Sequence, residues 1–184
     1  MTISNRTDLI NHVNHGHPVD YLFFWGHQKP KSGIASSCFS QWYDSPFVVD
    51  NQTYPTAEHY MMAGKAELFG DQASKEQILA AATPGDAKKL GRHVQGFNDE
   101  RWLAYRFDIV VAANLAKFSQ HADLKAFLLS TGDRILVEAS PVDPIWGIGL
   151  AADDPLAMNP YTWRGLNLLG FALMSVRDQL RSGI

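Results

Sequence analysis

The chain has 184 residues, of which 46% are hydrophobic and 19% charged, and its formal net charge is −3. This length and composition predict one soluble globular domain with a sizeable core, and they exclude an intrinsically disordered chain. The slightly acidic balance argues against a broad electrostatic grip on nucleic acid, although local contact with one nucleotide stays open. Cys38 is the single cysteine, so no intramolecular disulfide can form, which suits a reducing compartment.

The sequence predicts neither a targeting segment nor a membrane anchor. Residues 1–20 lack the apolar core that a secretory signal peptide needs. Elsewhere, no apolar run approaches the roughly 18 residues of a membrane span. We therefore expect a cytoplasmic protein that has no membrane partner.

The chain is predicted to consist of a polar tail, residues 1–19, and one folded domain, residues 20–184. Three histidines in the tail could bind a metal, but a solvated segment is favoured and no metal site is predicted. These histidines are His12, His15 and His17.

Residue patterns predict a mainly helical α+β domain with a small β component. Strand formers fill residues 21–25 and 134–139, and residues 45–55 predict a strand and turn with Asp50 and Asn51 at the bend. Neither an internal repeat nor a low-complexity linker interrupts this pattern, which supports a compact single domain.

Helix signals begin at Thr56, a residue type that caps helix N-termini, and recur through the rest of the chain. The first helix should end at Gly70, and further helices should follow at residues 71–82, after Thr83, over residues 122–130 and near the C-terminus. The longest helix should begin near Asn98. Its buried face is predicted from the 3, 4, 7 spacing of Trp102, Tyr105, Ile109, Val110, Ala113 and Ala116.

Two opposite charges lie on the apolar side of the helix that begins at Thr56. Glu58 and Lys65 are seven residues apart, so they project from nearly the same face, about 10 Å apart along the axis. A carboxylate can stabilise positive charge at a sugar carbon during glycosidic cleavage, and a partly desolvated lysine can attack that carbon or form an imine. Taken singly, each also fits a structural role, as an acid favoured by the helix dipole and as a surface lysine.

Residues 140–165 form a long irregular segment, and such loops are uncommon unless they have a function. This segment contains acids and two tryptophans, and its glycines Gly147 and Gly149 allow close backbone approach. Aromatic faces suit a nucleobase, whereas the alternative is a structural loop whose tryptophans fill the core. The residues in question are Asp143, Trp146, Gly147, Gly149, Asp153, Asp154, Trp163 and Arg164.

At the level of whole segments, the chain resembles the NADAR superfamily, also called YbiA-like. The similarity covers roughly residues 21–180, and five segments match in order with consistent spacing. Those segments are "CFSQWYDSPF", "YPTAEHYMMAGKA", "KFSQHADLKAFLLSTG", "LVEASPVDPIWGIGL" and "RGLNLLGFALMSVRDQL".

This resemblance implies a compact, mainly helical α+β fold and N-glycosidase activity that needs no cofactor. Characterised members cut a bond between ribose C1′ and a nitrogen. One set hydrolyses phosphoribosylamino intermediates of riboflavin synthesis, and another removes ADP-ribose from guanine bases. The expected partner is therefore an ADP-ribose-containing or phosphoribosyl nucleotide, with ADP-ribosylated nucleic acid as a further candidate. The alternative is a module that binds NAD or ADP-ribose without turnover.

Carried over by position, the resemblance implies that Glu58 is the catalytic carboxylate and that Lys65 is an imine-forming or oxygen-orienting amine. Residues of the other matching segments would bind substrate. This substrate-binding set is Phe39, Gln41, Trp42, Ser45, Asp143, Trp146, Gly147, Gly149 and Asn167.

Two departures from the family pattern bear on the substrate. Many relatives read Ser-Asn-Phe where this chain has Ser40, Gln41 and Trp42, which keeps an amide and an aromatic ring but changes their shape. The riboflavin-linked members carry an acid where this chain has Ile148. The missing carboxylate favours ADP-ribosylated guanine over the riboflavin intermediates.

Overall fold

The computed structural model describes residues 3–183 and has a mainly helical α+β fold, as predicted. Within these residues, none of the helices is long and apolar enough to cross a membrane. The helices are α1 (Arg6–Asn14), α2 (Ala57–Leu68), α3 (Gln72–Leu79), α4 (Pro84–Gly91), α5 (Asp99–Gln120), α6 (Ala122–Ser130) and α7 (Leu168–Ser182). The strands are β1 (Tyr21–Phe24), β2 (Phe47–Val49), β3 (Gln52–Tyr54) and β4 (Ile135–Glu138).

The described residues divide into two compact units. Unit 1 contains residues 3–40 and 123–183, and unit 2 contains residues 41–122.

Unit 1 is built on a parallel pair of strands that lie far apart in the sequence. Strand β1 pairs with β4, with Leu22 opposite Leu136, and α7 packs on β4. Leu136 and Val137 are fully buried. The helix approaches the strand so closely that a Cβ atom at Gly170 would lie 2.0 Å from the carbonyl oxygen of Leu136. Any other residue would therefore push α7 away from β4.

Helix α1 lies in the segment where the sequence predicts a solvated tail, and it packs against unit 1. Leu9 is fully buried, and Arg6 donates hydrogen bonds to the carbonyls of Pro160 (2.7 Å) and Tyr161 (3.0 Å). A short polar helix of this kind has a weak periodic signal because one buried leucine anchors it. The predicted domain boundary at residue 20 stays a prediction, although the segment before it contains α1.

The three histidines at the end of α1 lie close to one another. The rings of His12 and His17 are 4.7 Å apart, and those of His15 and His17 are 6.5 Å apart. Across residues 3–183, no group of three His, Cys, Asp or Glu side chains is placed to hold a metal ion.

Unit 2 begins with a hairpin in which β2 pairs antiparallel with β3. Asp50 and Asn51 form the bend that the sequence predicts, and both have positive φ angles of 50° and 63°. Two consecutive left-handed residues match the two-residue turn that suits the twist of a hairpin, and Asp and Asn tolerate it. The chain then enters α2, which packs against α3, α4 and α5.

Helix α5 begins after Asn98, as predicted, and the Asn98 side chain accepts a hydrogen bond from the N–H of Arg101. Its predicted buried face is only partly correct, because Tyr105 is 51% exposed. Helix α5 has 22 residues and packs against the 12-residue α2, with Trp102 near Lys65 and Ile109 near Gly64, and the residues of its first half are at most partly buried. The buried residues lie in its second half: Val110, Ala113, Asn114, Lys117 and Phe118.

Candidate active site

Glu58 is held in the first turn of α2 by contacts on both sides of it. Thr56 caps the helix, with its side-chain oxygen accepting from the N–H of His59. The N–H of Glu58 itself donates to the carbonyl of Gln41 at 2.9 Å. The Glu58 side chain is 5% exposed, so its carboxylate sits in a largely water-excluded place at the positive end of a helix dipole.

His59 holds this helix start through both of its ring nitrogens. Nδ1 lies 2.8 Å from the hydroxyl of Thr56, and Nε2 lies 3.1 Å from the carbonyl of Ala81. A carbonyl can only accept, so Nε2 carries the hydrogen and Nδ1 accepts from the hydroxyl. Burial lowers the pKa of His59, with partial opposition from the bond to Ala81, so the neutral ring is favoured. His59 thus positions the turn that presents Glu58.

Gln41 links the start of α2 to the buried face of α5. Its main-chain carbonyl receives the N–H of Glu58, and its side-chain oxygen accepts from Asn114 Nδ2 at 2.8 Å. Gln41 is 7% exposed and Asn114 is fully buried. Of the predicted site residues, Gln41 and Glu58 are therefore brought into direct contact within unit 2.

Lys117 is a residue of this region that sequence analysis missed. It lies three residues after Asn114 on α5, and its side chain is fully buried. The ammonium Nζ lies 5.4 Å from the centre of the Tyr43 ring and 5.1 Å from that of Phe118. Lysine is almost never fully buried unless its charge is compensated, and buried lysines are among the groups that enzymes use as amines.

The signal for Lys117 is present in the sequence. From Val110, the residues at spacings of 3, 4 and 7 are Ala113, Asn114 and Lys117, which is the pattern of one helix face. Asn114 and Lys117 are polar residues on an otherwise apolar helix face, and this pattern indicates a candidate site, as it does for Glu58 on α2. The face predicted for α5 ends at Ala116, and Lys117 is the next residue.

Lys65 contacts the end of α4 and two aromatic rings. Its Nζ donates to the carbonyl of Gly91 at 2.8 Å, at the end of α4. It also lies 4.3 Å from the centre of the Phe97 ring and 5.6 Å from that of Trp102. These contacts satisfy a free carbonyl at a helix C-terminus, where a cation is favoured. The geometry thus explains Lys65 as a residue that holds α4 against α2, while its catalytic role stays a prediction.

The pKa of Lys65 is lowered, because burial disfavours the charged form, as the sequence analysis expects for a lysine in an apolar wall. Asp99 is the acid that opposes this shift. The Phe97 and Trp102 rings lie near the ammonium group, whereas Met62 packs against Gly91.

Trp42 and Ser45 also lie in unit 2. The Trp42 ring is half-buried, with its edge 3.5 Å from where a Cβ atom of Gly85 would lie, and Lys88 Nζ is 5.8 Å from the ring centre. Ser45 is buried, and its hydroxyl donates to the carbonyl of Tyr43 at 3.2 Å. Trp42 therefore keeps an exposed part that a ligand could contact, whereas the Ser45 hydroxyl supports the local turn.

Phe39, in unit 1, is fully buried. Its ring centre lies 5.4 Å from that of Phe24, edge to face, and 5.5 Å from that of Phe127. Aromatic packing of this kind is typical of a core side chain. Its predicted contact with substrate stays a prediction.

The loop after β4 in unit 1 is ordered by Asp143. Its carboxylate accepts hydrogen bonds from the N–H groups of Ile145 and Trp146, both at 2.8 Å, which forms a tight turn. A Cβ atom at Gly147 would lie 2.8 Å from the carbonyl oxygen of Glu138, so only glycine fits there. The turn leaves Trp146 half-buried, with part of its ring available to a ligand.

Position 148 contributes to the core in this chain. Ile148 is fully buried, its N–H donates to the carbonyl of Glu138, and its carbonyl accepts from the N–H of Arg164. The next residue, Gly149, has a φ of 68° and lies against Arg164, which leaves no room for a side chain. The residue that replaces the acid of the riboflavin-linked members is therefore a buried side chain in this protein.

Asn167 directs its side chain at strand β4. The side-chain oxygen accepts from the N–H of Glu138, and the side-chain nitrogen donates to the carbonyl of Leu136, both at 2.9 Å. The residue is fully buried and left-handed, with a φ of 56°. Asparagine tolerates this conformation better than most residues. These bonds anchor the start of α7 on β4, and a direct contact of Asn167 with substrate stays a prediction.

Comparison with known proteins places the chain in a family. The NADAR domain matches residues 23–181. An N-glycosidase of Acanthamoeba polyphaga mimivirus is 43% identical over 164 residues, which are 86% of this chain and 95% of that protein. The N-glycosidase YbiA of Escherichia coli is 35% identical over 144 residues, 78% of this chain and 79% of that protein.

A solved structure shares the fold as well. The NMR structure of the Escherichia coli protein YbiA superposes with a TM-score of 0.70 and 31% identity, covering 89% of this chain and 86% of that chain. The family match spans more than half of the chain, and both relatives exceed 30% identity over more than two thirds of it. The resemblance seen in the sequence is thereby confirmed: the chain belongs to the NADAR domain family.

Proposed function

We propose that this protein is an N-glycosidase that hydrolyses the bond between ribose C1′ and a nitrogen, with ADP-ribosylated guanine as its substrate, either as a nucleoside or within nucleic acid. Two relatives that match most of the chain are N-glycosidases, which supports the reaction class. The choice of guanine follows from the absence of an acid at Ile148.

The observation that carries the proposal is the chemistry assembled in unit 2. Glu58 and Lys117 are both buried, and both connect to Gln41: Glu58 through its main-chain N–H, and Lys117 through the helix turn that carries Asn114. A buried carboxylate can stabilise positive charge at C1′ and a buried amine can attack that carbon, so this pair suits cleavage of an N-riboside.

The reaction would balance as follows. As the C1′–N bond breaks, the leaving nitrogen takes a proton, and the carboxylate of Glu58 stabilises the positive charge at C1′. A lysine amine bonds to C1′, the ring oxygen takes a proton as the sugar opens, and an imine forms. Water then adds to the imine carbon, which releases the sugar aldehyde and returns the free amine. The net change is addition of one water across the C1′–N bond.

Two lysines are candidates for this amine, and they differ in their surroundings. Lys65 is the one that the family pattern implies, and its Nζ donates to the carbonyl of Gly91 at the end of α4. Lys117 is buried among aromatic rings on the face that also carries Asn114. We assign the amine to Lys117 and a positioning role to Lys65.

A substrate panel tests the proposed function. ADP-ribosylated guanosine and a phosphoribosylamino-pyrimidine would be offered at equal concentration, and products would be identified by mass spectrometry. Release of ADP-ribose and guanosine that Glu58→Gln abolishes is the expected result. Faster turnover of the phosphoribosylamino compound would move the assignment to the riboflavin intermediates. Unchanged ligands with a raised melting temperature would indicate a binding module.

A further inference from the structure

Gln41 and Asn114 form an amide pair that has binding capacity left over. Asn114 Nδ2 donates to Gln41 Oε1 at 2.8 Å and to the carbonyl of Val110 at 2.9 Å, so both of its hydrogens are used. The other atom of that amide, Asn114 Oδ1, is buried and accepts no hydrogen bond from the described residues. Buried polar side-chain atoms are hydrogen-bonded in the large majority of native structures, so this acceptor calls for a partner.

The Gln41 amide has the complementary atom to spare. Its Nε2 has two hydrogens, and the contact that the described residues provide is the sulfur of Met61 at 4.0 Å, a weak acceptor. If the two amides formed a pair of reciprocal hydrogen bonds, Gln41 Nε2 would also donate to Asn114 Oδ1. Here they share one bond, which leaves a donor on Gln41 beside an acceptor on Asn114.

A donor that lies next to an acceptor can bind a ligand group that both accepts and donates hydrogen bonds. The adjacent hydroxyls of a sugar form such a group. The position of the pair indicates which part of the substrate it meets. Gln41 bonds to the N–H of Glu58, and Asn114 lies one helix turn from Lys117, the two groups assigned to C1′. Groups around the reacting carbon face the sugar, and the hydroxyl nearest to C1′ is the one on C2′.

We propose that Gln41 and Asn114 form a ribose subsite, in which Asn114 Oδ1 accepts the 2′ hydroxyl hydrogen and Gln41 Nε2 donates to an oxygen of the same 2′,3′ diol. This assignment rests on the proposed N-glycosidase function. It makes the pair a determinant of specificity for ribosides over 2′-deoxyribosides. A 2′-deoxy sugar would leave the buried acceptor without its partner, which is how polar sites reject analogues that lack one hydroxyl.

The test compares two substrates across variants of the pair. The substrates are ADP-ribosylated guanosine and the analogue whose ADP-ribosyl group lacks the 2′ hydroxyl on the ribose attached to guanine. Asn114→Leu, which is close in volume, should lower kcat/KM for the riboside by about 10²-fold and leave that for the deoxy analogue nearly unchanged. The change in the ratio of the two values between wild type and variant cancels the intrinsic difference in reactivity between the sugars.

Two further variants guard against effects on folding. Gln41→Met changes the loop side of the pair and should shift the same ratio in the same direction, so that a misfolded Asn114 variant would not end the test. Asn98→Ala removes the N-cap of the same helix without touching the pair. It should lower the melting temperature and leave the ratio unchanged.

The outcomes separate the subsite from the reaction. If Asn114→Leu and Gln41→Met slow both substrates equally, the pair is structural, a bound water satisfies the buried acceptor, and the subsite is overturned. If the wild-type protein turns over neither ADP-ribosylated guanosine nor a phosphoribosylamino-pyrimidine, the proposed function fails and takes the subsite with it. If the wild-type protein turns over only the phosphoribosylamino compound, the same ratio is measured with that compound and its 2′-deoxy analogue.

Discussion

The main-chain N–H of Glu58 donates to the carbonyl of Gln41 at 2.9 Å, which joins the start of α2 to the loop that precedes the hairpin. Through its side chain, Gln41 also reaches Asn114 on α5. One residue therefore connects the predicted catalytic carboxylate to the helix face that carries the buried lysine.

Glu58→Gln should lower turnover by at least about 10²-fold, because it removes the charge that stabilises C1′ in the transition state. The amide has nearly the same shape, and the hydrogen bond to Gln41 is made by the main chain, so the fold should be retained. Turnover would be measured beside a thermal melting curve. A folded variant with a near-native rate would remove Glu58 from the mechanism.

Borohydride reduction during turnover should trap a sugar on Lys117. Peptide mapping by mass spectrometry would locate the adduct. Lys117→Met, which keeps an unbranched side chain without the amine, should give no adduct and no turnover. Lys65→Arg should retain activity in part, because an arginine can still donate to the carbonyl of Gly91. An adduct on Lys65 would restore the assignment that the family pattern implies.

Trp146→Ala should weaken ligand binding by about 1–3 kcal/mol if a base stacks on the half-buried ring. The turn formed by Asp143 uses the main chain at this position and should survive the change. Affinity for ADP-ribosylated guanosine would be measured together with the melting temperature. Normal affinity with a large fall in melting temperature would place Trp146 among the structural residues.

His59 should contribute a pH-dependent part of the stability. Its pKa in the folded protein is lowered from 6.5, so the unfolded chain binds the proton first as the pH falls. The contribution is therefore present above pH 6.5 and is lost as the pH falls from there through the lowered folded value. The measurement is the free energy of unfolding in urea at about pH 7.5 and about pH 5.

The matched variant is His59→Gln, whose amide can still donate to the carbonyl of Ala81 but does not titrate. The wild type should lose more stability on acidification than this variant. Equal losses would mean that the His59 ring takes its proton as easily in the folded protein as in the unfolded chain.

Gly170→Ala should destabilise unit 1 by about 1–3 kcal/mol or more, because the new methyl group would meet the carbonyl oxygen of Leu136. That carbonyl also accepts the bond from Asn167, so the start of α7 would shift with it. Gly85→Ala in α4 is the control, since its Cβ atom would make ordinary contact with Trp42 and alanine favours a helix. Equal melting temperatures for the two variants would contradict the close approach of α7 to β4.

The local features of this protein follow from the sequence alone, because each rests on chemistry within a few residues. Thr56 and Asn98 begin helices through side-chain oxygens that bond N–H groups three residues on. Asp50 and Asn51 form the bend of the hairpin because both tolerate positive φ angles. The pattern also singles out Glu58, an acid on an apolar face in the first turn of a helix, and the structure confirms that position while its catalytic role stays a prediction.

Which lysine is enclosed depends on how the helices and loops pack in three dimensions. Periodicity gives the direction of a side chain around a helix axis, and by that measure Lys65 and Lys117 both lie on apolar faces. How far the packing extends along each axis depends on segments distant in the sequence. Those segments cover Lys117 completely, bring the carbonyl of Gly91 to Lys65, and leave Tyr105 exposed on the first turns of α5. Burial, which controls the cost of a charge and the chemistry of an amine, is therefore a property of the packed elements together.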